Sequence, residues 1–305
     1  MPGTRQDPCP FDLAVFRPPY QQLEPIEPGW MPGRLPPRGH ALVWMLTNAE
    51  RQARQHEWIR NRPPGLPLVI ALPPASVIQD TIPLLFELDV IQPRAVLPHG
   101  GGAAPERLLE ILRRPPANLP RTVSDHLVDR GLLRERQLVR EVERIFELAP
   151  ETPSITRLCR QLYTSRRTLG RHFSRAGLPV PSHWLQFARL LHVALRLQRE
   201  RTAVFRMALR AGYPDGFTFS NQMKRLVDCR PSQIRDLPGW EWLVEAWIAQ
   251  ETRNGGIDVK RHAASVHMYL DAAADPKPRR YPDAPNNTDQ LWCAEPDEEG
   301  YDTGE

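Results

Sequence analysis

Residues 154–177 read SITRLCRQLYTSRRTLGRHFSRAG, and the fold of the C-terminal half turns on them. Ile155, Leu158 and Leu162 recur at helical spacing on one face, so a short helix is expected that ends near Tyr163-Thr164. Ser165 is placed to cap a second helix, whose buried face is Leu169 and Phe173, four residues apart. The opposite face then shows Arg166, Arg167 and Arg171 to solvent, with His172 and Arg175 beside them. A short helix, a tight turn and a second helix with a basic outer face suit a major-groove reader, because that groove admits a helix whose side chains reach base edges. A plain helical hairpin with a solvated basic face has the same pattern, and this stretch alone leaves it open.

A second unit of the same kind follows at 202–235, TAVFRMALRAGYPDGFTFSNQMKRLVDCRPSQIR. Val204, Met207, Ala208 and Ala211 form one helical face, Gly212 permits the turn, and Asp215 caps the next helix. Phe219 and Met223 are its inward pair; Gly216, Phe217, Ser220, Asn221, Lys224 and Arg225 fall outward. Between the units, residues 182–199, SHWLQFARLLHVALRLQR, place Trp184, Leu185, Ala188, Leu191 and Leu195 along one helix. Its length of about 27 Å at 1.5 Å per residue approaches the roughly 34 Å between successive major-groove faces. One rigid helix would hold two readers over adjacent turns of a duplex.

The segment resembles the DNA-binding domain of AraC/XylS-type regulators. The matching residues are Leu158, Ser165, Arg167, Leu169, Arg171 and Phe173 in the first half and Arg189, Leu190 and Ala194 in the connecting helix. The second half adds Ala208, Gly212, Tyr213, Phe219, Ser220, Lys224, Pro231 and Arg235. The resemblance implies a tandem helix-turn-helix domain that binds double-stranded DNA, with RNA polymerase as a further partner. The chain departs from the pattern at Gly170 and Gly216, where a base-reading side chain is usual, at Met223, and at Asp228-Cys229-Arg230, which replaces a glycine-containing turn.

Charge points the same way without reference to the motif. Residues 151–235 hold sixteen Lys and Arg against four acids, while the whole chain is only +4. Such a local excess is the footprint of phosphate binding and predicts salt-dependent affinity. The 305 residues, 41% apolar, suffice for two domains, and 34 prolines suggest ordered modules joined by extended segments. No apolar run is long enough to span a membrane and no apolar signal core opens the chain, so a cytoplasmic protein is expected. Cys9, Cys159, Cys229 and Cys293 are scattered without metal-ligand spacing; Cys159 is expected in a helix core and the others as incidental.

Upstream, 1–39 reads as a proline-rich disordered leader. Residues 40–120 alternate strand patterns (ALVWML, LPLVIALP, PRAVLP) with helix patterns (ERQARQHEWIRNR, SVIQDTIPLLFELDV, PERLLEILRR). Alternation of this kind implies parallel βαβ units, an α/β domain. The succession is similar to part of a response-regulator receiver domain, yet Met45-Leu46, Pro73 and Leu97-Pro98 stand where a receiver carries its phosphoacceptor Asp, its Ser or Thr and its Lys-Pro pair. Phosphoryl transfer needs that nucleophile and its charged partners, so the domain is expected to serve dimerisation, partner docking or no measurable role. The glycine run after His99 lacks the spacing of a phosphate-binding fingerprint and reads as a loop.

The expected organisation is therefore an α/β domain with parallel βαβ units, receiver-like, at 40–120, a helical linker at 121–150, an all-α tandem helix-turn-helix domain at 151–250, and a disordered acidic tail at 251–305. Trp240, Trp242, Leu243 and Trp247 are expected on a last helix that closes the DNA-binding core or caps it against the N-terminal domain. The candidate partner is double-stranded DNA, read by Arg167 and Arg171 on guanine and Asn221 on adenine. Ser165, Arg166, Thr168, Ser220, Lys224 and Arg225 are candidates for phosphate contacts, and Phe217 joins the DNA-facing set. Residues 40–148 are a candidate homodimer surface. No catalytic residue, cofactor or metal ligand is assigned, since Cys9 has no base or metal partner nearby in sequence. The competing reading is a non-catalytic interaction protein whose helix-turn-helix core has decayed and holds nucleic acid without reading it.

Overall fold

The structure, a computed structural model, describes residues 13–26, 38–46, 59–60, 62–72, 91–98, 104–200 and 202–270. The expected helix at 76–90 and the glycine run at 100–102 lie outside these residues, as does Pro73. Among the described residues five strands form one sheet: β1 (Leu13–Phe16), β2 (Leu23–Pro25), β3 (Ala41–Met45), β4 (Leu68–Ala71) and β5 (Ala95–Leu97), in the order β2-β1-β3-β4-β5. The three strands read from sequence pair in parallel, with Val43 opposite Val69 and Val69 opposite Ala95. β1 runs antiparallel to both β2 and β3, so the sheet is mixed and departs from an all-parallel receiver.

β1 and β2 correct the reading of 1–39 as a disordered leader. Ala14, Val15 and Phe16 are buried, and Tyr20 donates from its hydroxyl to the Gly39 carbonyl at 2.8 Å. LAVF is too short and too hedged with proline to announce itself, and its pairing edge is supplied by β3 much later in the chain. Alternation sorts the sheet into two covered faces. Phe16, Val43, Met45, Val69 and Leu97 pack with Leu108 and Leu112 of α1 (Pro105–Arg113). Val15, Leu42, Trp44, Leu68 and Ile70 pack with Ile59, Leu66 and Ile91 on the other. β3 is therefore apolar at every position, as a strand buried on both faces must be.

The helical part comprises α2 (Leu119–Asp129), α3 (Arg136–Leu148), α4 (Ile155–Gln161), α5 (Arg166–Arg175), α6 (Pro181–Arg199), α7 (Val204–Arg210), α8 (Gly216–Val227), α9 (Pro231–Asp236), α10 (Glu241–Arg253) and α11 (Ala263–Leu270). One apolar core runs through it from Leu119 to Tyr269. The helical linker expected at 121–150 is packed into this body: Leu138, Val142, Ile145 and Phe146 are buried in the same core as α6. The boundary of the acidic tail also moves. Ile257, Val266 and Tyr269 are core residues, so 251–270 belongs to the helical body and α10 is not its last helix; 271–305 lie outside the described residues. Cys229, read as incidental, is buried in that core, as is Cys159.

At the centre, the Trp247 ring stacks on Phe187 with centroids 4.5 Å apart and meets Trp184 edge-on at 4.6 Å. Beside it a polar knot is buried. Glu245, 2% exposed, has Oε1 at 2.7 Å from His126 Nε2 and accepts from Arg130 Nε at 3.1 Å, while Oε2 accepts from the Tyr269 hydroxyl. Arg130 also donates to the Ser265 carbonyl at 2.6 Å, which ties α2, α10 and α11 together.

His192 of α6 donates from Nε2 to the Phe146 carbonyl at 3.0 Å. Burial disfavours its charged form, holding its pKa below the ordinary 6.5, with the carbonyl contact opposing that shift and Arg196 adding to it. A histidine with a lowered folded-state pKa gives stability that is complete above 6.5 and lost as pH falls below it. The urea midpoint is therefore expected to fall between pH 7.5 and 5.5, and His192→Gln, which keeps a donor for Phe146, is expected to flatten that fall.

Sheet and helical body meet along an open cleft of about 1020 Å³ lined by Arg62, Arg94, Arg114, His126, Arg130 and Trp240, among others. Its arginines are taken up by protein groups. Arg62 donates to the carbonyls of Ile59, Leu66 and Gln92, and Arg94 pairs with Glu241 at 3.4 Å. A second contact lies just ahead of β3. Gly39, at φ +75°, sits against Leu237 and Tyr20 where a β-carbon would collide with both. Arg38 beside it donates to the Asp228 carbonyl at 2.6 Å and faces the Asp228 carboxylate at 3.5 Å.

Candidate nucleic-acid interface

Both helix pairs are built by local chemistry. Ser154 caps α4, accepting from Arg157 N at 3.3 Å, and Ser165 caps α5, accepting from Thr168 N at 3.0 Å. Leu169 and Phe173 are fully buried, which turns Arg166, Arg167, Arg171 and Arg175 outward. Gly170 lies between Arg167 and Arg171 on a surface where an added β-carbon would meet nothing within 4 Å. The second pair repeats the plan. Asp215 caps α8, its carboxylate accepting from Thr218 N at 2.6 Å and from the Thr218 hydroxyl at 3.1 Å. Those hydrogen bonds, led by the Thr218 backbone N–H, hold its pKa below the usual carboxylate range. Phe219 and Met223 are buried, and Tyr213 meets Phe219 edge-on at 5.0 Å.

The outward residues are not equally at liberty. Arg167 and Arg171 are exposed, and among the described residues neither has an ion-pair or hydrogen-bond partner. Arg166 donates to the Thr156 hydroxyl, and the Ser165 and Thr168 hydroxyls lie 2.8 Å apart. On α8, the Ser220 hydroxyl donates to the Gly216 carbonyl at 2.7 Å, Lys224 pairs with Asp228, and Arg225 donates to Gln186 Oε1 at 2.7 Å. Phe217 and Asn221 are exposed. Asp228 ends α8 in the left-handed region at φ +50°, which Asp tolerates in place of glycine.

Between the pairs, α6 carries Arg189, buried at 8% exposure. It donates to the Ala211 carbonyl at 2.6 Å in the turn of the second pair and to the Pro153 carbonyl at 3.4 Å at the entrance to the first. Its guanidinium carbon also lies 5.3 Å from the Tyr213 ring centroid. One side chain therefore keys both pairs to the same helix. Burial lowers its pKa somewhat, with Tyr213 acting the other way.

Residues 158–236 match the family model of a helix-turn-helix domain. This segment is an AraC-type helix-turn-helix domain. The AraC-type domain begins inside α4 and closes with α9, so the match leaves α2, α3, α10 and α11 outside it. Its presence makes the chain a DNA-binding regulator, and the domain is regulatory rather than catalytic. A comparison with curated proteins gives no match. No helix among the described residues is long and apolar enough to cross a membrane, and those residues hold no group of three metal-ligating side chains.

Two contacts of the AraC-type domain were invisible in its own sequence. Arg38 holds the end of α8 from 190 positions away, and no local pattern announces such a pairing. Phe205 covers Gly216, its Cα 3.5 Å from where a β-carbon would stand. The approach joins two helices, and no spacing within either one announces it.

Proposed function

We propose that the chain is a sequence-specific transcription regulator that lays α5 and α8 into successive major grooves on one side of a duplex. The observation that carries this reading is the pairing of two capped helices on one rigid helix, α6, keyed to both through Arg189. The 19 residues of α6 span about 28 Å, close to the roughly 34 Å turn of DNA. Arg167 and Arg171 suit guanine, where a bidentate arginine is the commonest specific contact, and Asn221 suits adenine. Ser165, Arg166, Thr168, Ser220, Lys224 and Arg225 suit phosphate contacts that set register. Lys224 and Arg225 would exchange Asp228 and Gln186 for phosphate on binding. RNA polymerase as a partner and a homodimer through residues 40–148 belong to the same proposal.

Selection of bound duplexes from a random pool, repeated at two salt concentrations, tests it. The expected result is a motif of two short boxes about one helical turn apart. Arg171→Ala should then cost about 1–3 kcal/mol and relax preference at one base, whereas Lys224→Ala should weaken all sequences alike and lower the salt slope by about one. Retention without enrichment, abolished by moderate salt, would instead establish the reading of a decayed core that holds nucleic acid nonspecifically.

A further inference from the structure

The outer surfaces of the two recognition helices differ in kind. α5 presents two exposed arginines, Arg167 and Arg171, on either side of the open surface at Gly170. On α8 the cations and the hydroxyl are engaged within the protein, Lys224 by Asp228, Arg225 by Gln186 and Ser220 by the Gly216 carbonyl. What α8 presents instead is Phe217, 75% exposed, and Asn221 one turn later. Phe217 stands two residues after the cap Asp215, at the end of a recognition helix that meets base edges. Phe205 and Leu209 of α7 are 54% and 43% exposed, and Phe205 abuts the same helix start at Gly216. An apolar patch thus brackets the reading end of α8 where a phosphate-binding surface would carry charge.

In the major groove the apolar group offered by a base edge is the 5-methyl of thymine. Resting on the tandem-reader proposal, we infer that α8 reads an A·T box, with Phe217 packed on a thymine methyl and Asn221 paired to the N6 and N7 of a nearby adenine. α5, through its arginines, takes the guanine-containing box. The two boxes then differ in composition, so the protein sits on its operator in one orientation and the site is not a repeat of one sequence.

The test replaces each thymine of the second box of the selected duplex by deoxyuridine, which removes the methyl and nothing else. The wild-type protein is expected to lose roughly fourfold in affinity at one position, the factor for one buried methyl-sized group at about 0.8 kcal/mol. Phe217→Ala is expected to bind the thymine and uracil duplexes equally while keeping the guanine preference that depends on Arg171. Phe217 is solvent-facing, and retention of that preference shows that the variant is folded. Equal losses on uracil for wild type and variant, or no response at any thymine, overturn the inference alone. A protein that enriches no motif overturns it together with the tandem-reader proposal.

Discussion

Glu245→Ala is expected to destabilise the protein by about 3–5 kcal/mol, because it leaves buried charge without its counter-ion. The Arg130 guanidinium, 10% exposed, has Glu245 as its ion-pair partner at 3.1 Å, and His126 meets the same oxygen at 2.7 Å. Removing the carboxylate also takes the acceptor from the Tyr269 hydroxyl proton, leaving that buried hydroxyl only the bond it accepts from Arg130 at 3.0 Å. Glu245→Gln keeps an acceptor for that hydroxyl and the volume of the side chain, so it should lose less. Urea unfolding followed by tryptophan fluorescence reads both variants. A loss under about 1 kcal/mol for alanine would show that Arg130 and His126 reach water when released, and would remove this cluster from the forces that fasten α11 to α2 and α10.

Trp247→Ala is expected to cost a similar amount, about 3–5 kcal/mol, for a different reason. The indole is 1% exposed and fills the space between Phe187, against which it stacks, and Trp184. Its loss forfeits transfer energy and leaves a cavity that two large rings on α6 cannot close without shifting that helix. Because α6 joins the two helix pairs of the DNA-binding domain, DNA affinity should fall alongside stability. Trp247→Phe, which refills most of the space with a ring, should restore the larger part of each. Full stability for the alanine variant would mean that α10 packs on α6 without depending on this stack.

What the sequence made legible is what short-range chemistry decides. Ser165 and Asp215 cap the helices expected of them, and Leu169, Phe173, Phe219 and Met223 are buried. Each of these follows from spacing within a dozen residues. The apolar runs of β3, β4 and β5 were readable for the same reason. The misses are long-range. β1 is four residues among prolines and acquires meaning only against β3. α11, AASVHMYL, has little contrast between its faces, and its burial is decided by α10 and by the Tyr269 contact to Glu245. The exposure of Arg167, Arg171, Phe217 and Asn221 was legible, but the engagement of their neighbours was not. That Lys224 and Arg225 are held by Asp228 and Gln186 depends on a left-handed turn and on a neighbouring helix.

The stack of Trp247 on Phe187 also separates two boundaries usually drawn as one. Family likeness stops at residue 236, whereas the apolar core extends to Tyr269 and back to Leu119. A gene fragment trimmed to the likeness would strip Phe146 and Trp247 from α6 and turn Trp184 and Phe187 toward water. Such a face invites self-association before any operator is met. The reading heads are thus tenants of a larger scaffold, and any excision, fusion or domain exchange that respects it must carry α2, α3, α10 and α11 along.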